Sequence, residues 1–255
     1  MKKKTIYSLL FAVAGVVLVV AVGLRIYTGY RAGTAEPTRA VEAERIQPED
    51  RTLGSIEYRV VSGDAEQSQA RFLIDEVIFN RETEVEGTTD QIDGSFVLSF
   101  EQGTVDVGQF EINMRSIRTR TVDFHLEDVR PSSSSLSDSE RDRVIRAYIL
   151  ESARDEFEFA TFDPRSVSGT PDSFAPGDRL DLVVTGDLRI RDVTSSVSFD
   201  MEVFIDSEER ISGSATTTIL WDDFDISIPY VGGRSSIASV GEQVELELSF
   251  VAEAM

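Results

Sequence analysis

The stretch VVTGDLRIRDVTSSVSFDMEVFI, residues 183–205, constrains the fold more than any other part of the chain. Leu188 and Ile190 share one face of its first run. Val197, Phe199, Met201, Val203 and Ile205 share one face of the second, with Ser198, Asp200 and Glu202 opposite. Apolar residues at period two, broken by a short polar turn, describe a hairpin of half-buried strands. The pattern recurs in YRVV (58–61), ARFLIDEVIF (70–79), SFVLSF (95–100), VDVGQFEINMRSI (105–117) and EFEFATFDP (156–164). It continues in RLDLVVTGDLRI (179–190), SVSFDMEVFI (196–205), ISGSATTTILW (211–221) and QVELELSFVAEA (243–254). Short strands at hairpin spacing, punctuated by Gly, Asp, Ser or Pro, predict an antiparallel barrel or sandwich.

One segment departs from period two. In LSDSERDRVIRAYILES, residues 136–152, Ser137 and Glu140 have the capping-box spacing. Val144 and Tyr148 fall on one side and Ile145, Ala147 and Ile149 near a second, so an amphipathic helix is predicted that covers an end of the sheet. The preceding PSSSS, residues 131–135, reads as a loop.

The first 33 residues follow another logic. Lys2, Lys3 and Lys4 precede an uncharged stretch from Thr5 to Leu24, and Arg25 and Arg31 follow it. Twenty such residues at about 1.5 Å each span about 30 Å, the thickness of a bilayer's hydrocarbon core. The run is longer than the roughly 7–15 residues of a secretory signal, although Ala21-Val22-Gly23 imitates a cleavage site. The lysines place the N-terminus in the cytoplasm. The organisation expected is therefore a transmembrane helix in residues 1–33, a polar linker at 34–56 and a single domain at 57–255. That domain lies outside the cytoplasm on a single-pass cell-membrane anchor.

Charge separates the same two parts. The first 33 residues carry +5 against a chain total of −21, which leaves −26 on the rest. A surface so acidic excludes nucleic acid as a partner, since that binding needs a basic footprint. The absence of cysteine excludes disulfides, thiolate metal sites and a cysteine nucleophile.

The order of motifs resembles the YceI-like family of polyisoprenoid-binding proteins. The pieces that carry the likeness are SQARFLIDE (68–76), GTTDQIDGSF (87–96), SIRT (116–119) and RDRVIRAYILES (141–152). FEFATFDP (157–164), VTGDLRIRDVTSSVSFDMEV (184–203), WDDFDISIP (221–229) and VGEQVELELSFVAE (240–253) complete it. The chain departs from the pattern in its long serine-rich loop, in Asp192 where the family favours glycine, and in its tether. The resemblance implies an all-β, eight-stranded antiparallel barrel of lipocalin-like shape with one covering α-helix. It also implies an isoprenoid or similar lipid, such as a polyprenyl chain or a quinone, held in the lumen by a carrier or store.

Inward alternation assigns Phe72, Ile74, Phe110, Ile112, Met114, Phe157 and Phe159 to that lumen. Leu182, Val184, Leu188, Val197, Phe199, Met201, Ile219 and Trp221 extend the lining. These residues either surround a cavity or fill a solid core; the family likeness favours the cavity. Arg71, Arg118 and Arg143 are candidates for a rim that meets a lipid head group. The alternative is a non-enzymatic interaction or stress-response ectodomain with a filled core.

No catalytic or metal site emerges. The lone histidine, His125, lacks a second imidazole or a thiol to build a zinc site. Asp222, Asp223 and Asp225 are close in sequence but lack the spacing and glycine of a calcium loop. Phosphate-binding loops, GxSxG and HExxH are absent.

Overall fold

The structure, a computed structural model, describes residues 34–78, 81–122, 137–228 and 238–255, with Gly23, Tyr27, Tyr30 and Arg31 before them. Most of the expected transmembrane segment, with His125 and the PSSSS loop, lies outside the described residues. Among the described residues no helix is long and apolar enough to cross a membrane.

The chain forms β1 (Ile56–Val60), β2 (Gln69–Ile78), β3 (Arg81–Thr89), β4 (Ile92–Asp93), β5 (Ser95–Ser99), β6 (Thr104–Val107), β7 (Phe110–Asn113) and β8 (Arg118–Val122). Helix α1 (Asp138–Val144) follows, then β9 (Phe159–Ser168), β10 (Arg179–Ile190), β11 (Val193–Ser207), β12 (Arg210–Leu220), β13 (Ala238–Val240) and β14 (Gln243–Ala254). All the strands join one curled antiparallel sheet. The all-β class and the single covering helix are as expected, whereas the expected eight strands are corrected to fourteen among the described residues.

The physical reason for the higher count is interruption of long strands by glycines and loops as they wrap a tight barrel. Gly94 alone separates β4 from β5, and Gly108 and Gln109 separate β6 from β7. A Cβ at Gly94 would lie 2.5 Å from the Phe110 ring, so the bare backbone makes room for an inward aromatic. Likewise a Cβ at Gly87 would lie 2.0 Å from the ring of Phe72. The two partial strands β1 and β2 run along successive parts of β14: Tyr58–Val60 oppose Ala252–Ala254, and Gln69–Leu73 oppose Glu245–Ser249. The ladder then passes from β1 to β5 and from β4 through β7 to β9 and β10. Strand β3 was absent from the sequence expectation because RETEVEGTT presents Val85 as its one large apolar residue, leaving no hydrophobic alternation to read.

The barrel has two unlike ends. One, the helix end, carries α1 between β8 and β9, the β10–β11 turn at Arg191–Asp192, and the turn at Trp221–Phe224 that follows β12. The far end carries the turns at 100–103, 169–178 and 208–209. Helix α1 begins with the expected capping box: Ser137 Oγ accepts from the Glu140 backbone N–H, and the Glu140 carboxylate accepts from the Ser137 backbone N–H. It continues into a π-helical turn at Ile145–Ile149, shorter and wider than the uniform helix expected over 136–152. Ser137→Ala is expected to cost about 1 kcal/mol, read as a small loss of melting temperature.

Candidate functional site

Inward-facing side chains change character along the barrel. On β11, Met201, Val203 and Ile205 are buried, while Val197 and Phe199 on the same face nearer the helix end are only half-buried. On β14, Phe250 and Ala252 are buried, while Val244, Leu246 and Leu248 are half-buried. Tyr58 and Val60 of β1 are buried, whereas Ala70, Phe72 and Ile74 of β2 are half-buried. Strands β11 and β14 and the β1–β2 pair show the same gradient, so on this side of the barrel the far half is packed and the helix half is loose.

The packed half is an aromatic and aliphatic plug. Phe96 stacks on Phe250 with ring centroids 4.8 Å apart and meets Phe110 edge-on at 5.6 Å. Tyr58, Leu98, Leu180, Ile205 and Ile211 are essentially inaccessible around them. The Tyr58 hydroxyl donates to the Glu208 carbonyl at 2.9 Å, and burial pushes the phenol up to about 12.

Beyond the plug lies a cavity of about 130 Å³ with an almost wholly apolar lining. Seven of the sequence-assigned residues line it: Phe72, Phe110, Ile112, Met114, Leu188, Phe199 and Met201. The other eight do not. Leu182, Val184 and Ile219 belong to the packed core, Val197 and Trp221 pack against that core, and Phe157 is buried outside the cavity. Phe159 lies under the Arg39 guanidinium at 3.9 Å, and Ile74 borders a shallow polar recess with Asp75, Glu84 and Glu245. Alternation places a residue on the inner face but says nothing of depth, so it could not separate plug from cavity. The small residues that create the space, Ala70, Gly87, Ala160 and Ala215, were missed because small side chains carry no apolar signal.

The helix end is held by polar contacts. Asp142 Oδ1 accepts from the Thr119 N–H at 2.6 Å and from its hydroxyl at 2.7 Å, and Arg141 reaches Glu76 at 3.4 Å. Burial holds the Glu76 carboxyl above its usual range, only partly opposed by the charge of Arg141. A carboxyl raised in the folded state makes no difference below the unfolded-state pKa and costs stability as pH climbs through the folded one. Glu76→Gln is therefore expected to melt higher than the parent at pH 7 and with it at pH 4, as read by calorimetry.

Of the proposed rim arginines, Arg71 is paired with Glu247 and Glu86 on the outer wall. Arg118 and Arg143 are exposed and form no salt bridge among the described residues. Asp222, Asp223 and Asp225 are exposed, and no group of three His, Cys, Asp or Glu among the described residues is placed to hold a metal.

Residues 36–44, within the stretch read as linker, are docked along the outer wall. Thr38 donates its N–H and hydroxyl to the Glu158 carboxylate at 2.8 and 2.6 Å. Arg39 forms a fork with Glu111 at 2.6 and 2.7 Å, and the Glu42 and Ala43 N–H groups donate to Glu111 and Asp93. Glu158 is fully buried and pairs with Arg115, whose side chain is 3% exposed, at 2.8 Å. Arg115 also donates to the Ser152, Ala153 and Glu36 carbonyls and to Asp155.

Among solved structures, Burkholderia cenocepacia BcnA is 17% identical over 74% of this chain and 98% of its own, with a TM-score of 0.48. A polyisoprenoid binding domain from Saccharophagus degradans is 14% identical over 78% of this chain and 98% of its own, with a TM-score of 0.46. The Campylobacter jejuni YCEI protein is 13% identical over 66% of this chain and 84% of its own, with a TM-score of 0.43. No curated protein matches the chain. The YceI-like domain description matches residues 62–252, nearly the whole of the barrel, and the chain belongs to that family.

Proposed function

We propose that this protein is a membrane-tethered, extracytoplasmic binder of an isoprenoid or similar amphiphile, acting as carrier or store. The observation that carries the reading is the apolar cavity in a barrel whose far half is solidly plugged. An apolar cavity of about 150 Å³ holds benzene, so the present space suits roughly six carbons. At about 0.8 kcal/mol per buried methylene, that segment contributes about 5 kcal/mol without any hydrogen bond. A longer chain must move its neighbours aside, and Met114 and Met201, unbranched and polarizable, line the space where it would run. The plug is not available to it, because opening packed rings costs far more than shifting a methionine. Residues 5–24 anchor the domain, and the cytoplasmic lysines set its outward orientation. The test is organic extraction of the purified full-length protein followed by mass spectrometry. A polyprenyl or quinone species near one per protein supports the reading; extracts without lipid, from protein that also fails to take up added isoprenoid, contradict it.

A further inference from the structure

Two separate features single out the same end of the barrel. The cavity lies in the helix half, and the plug built on Tyr58, Phe96 and Phe250 closes the route from the far end. The docked segment, independently, begins at the helix end. Glu36 meets Arg115 at 3.1 Å, beside Ser152 and Glu158, and the chain then descends past Glu111 to Gln109 before entering β1 at the far end. The chain thus reaches the domain at the end that α1 covers.

We infer that the helix end of the barrel faces the bilayer and is the side through which a hydrocarbon chain enters, an inference that rests on the tether and lipid reading above. The partner surface is the membrane in which residues 5–24 sit. Eleven residues, 25–35, separate that span from the docked Glu36. Fully extended they reach about 36–40 Å; as helix they reach about 17 Å. Tyr30, Arg31 and Thr34 are helical, and the Thr34 hydroxyl donates to the Tyr30 and Arg31 carbonyls at 3.3 and 3.4 Å. These helical residues keep the tether below its fully extended reach. At the shorter of the two reaches the interfacial layer takes up about 5–8 Å, which leaves the helix end about 10 Å from the head groups. Tyr27 and Tyr30, both exposed, fall within the interfacial stretch where tyrosines are enriched. The far end stands about 30 Å further out, from the twelve residues of β10 at about 3.3 Å each and a strand tilt near 40°.

The chain has no cysteine, so a single introduced thiol labels one place. Asp192→Cys marks the helix end and Glu209→Cys the far end; both are exposed turn residues outside the cavity and the docked segment. Each full-length variant, labelled with an environment-sensitive fluorophore, is reconstituted into phosphatidylcholine–phosphatidylglycerol vesicles carrying a head-group spin label. The Asp192 label is expected to be quenched several-fold more than the Glu209 label. Inserting about twenty Gly/Ser residues between Ala35 and Glu36 is expected to remove most of the difference. Equal quenching of the two labels in the parent tether, or stronger quenching at Glu209, overturns the inference. Protein that does not float with the vesicles overturns the tether reading and this inference with it. Failure of lipid binding alone would show instead as lipid-free extracts with the quenching contrast intact.

Discussion

Arg115→Ala is expected to lower the melting temperature of the barrel by about 6–20 °C. The guanidinium is 3% exposed, its partner Glu158 is fully buried, and the same carboxylate holds Thr38 of the docked segment. Removing one member of a buried pair leaves the other charge without compensation, at about 3–5 kcal/mol. For a domain of this size each kcal/mol corresponds to about 2–4 °C. Arg115→Lys keeps the charge but cannot reproduce the fork that reaches Ser152, Ala153 and Glu158 together, so an intermediate loss is expected. Arg154→Ala breaks an exposed pair with Glu156 and is expected to leave the melting temperature unchanged. Equal losses for Arg115→Ala and Arg154→Ala by calorimetry would contradict the weight placed on the buried pair.

Ala160→Leu with Ala215→Leu is expected to weaken isoprenoid binding at least tenfold while leaving the fold intact. Both alanines line the cavity, and both are themselves buried. Leucine there fills space that a ligand would otherwise use, and filling a cavity is neutral or stabilising where the site can take the added volume. A matching change in the plug, Phe250→Ala, is expected to do the reverse: it costs about 3–5 kcal/mol of stability and does not block the cavity. Titration with a fluorescent isoprenoid, paired with thermal melts, separates these effects. Binding that survives both leucines unchanged would place the ligand elsewhere.

The strands that were legible in the sequence are those with alternating large apolar residues, as on β10 and β11, whose register follows the hairpin read from residues 183–205. Strand β3 was not, because its inward positions hold Val85 and Gly87, and Gly87 matters by the room it leaves for Phe72. The capping box at Ser137 and Glu140 could be read because it is a local exchange of hydrogen bonds. The docking of residues 36–44 could not: it depends on main-chain N–H groups meeting carboxylates some 50–120 residues away, and no hydrophobic pattern marks such contacts. The lumen was legible as a face. Its division into plug and cavity was not, since Leu182 and Leu188 stand on the same face of β10 and only the second borders open space.

Methyl NMR offers the most direct trial of whether a hydrocarbon chain occupies the helix half. Among the four methionines, Met114 and Met201 line the cavity, and Met255 is 65% exposed at the chain end. Titrating ¹³C-methyl-methionine protein with an isoprenoid alcohol is predicted to shift the Met114 and Met201 signals together, saturably, and to leave Met255 in place. Signals from Met114 and Met201 that stay fixed while the ligand binds would contradict it.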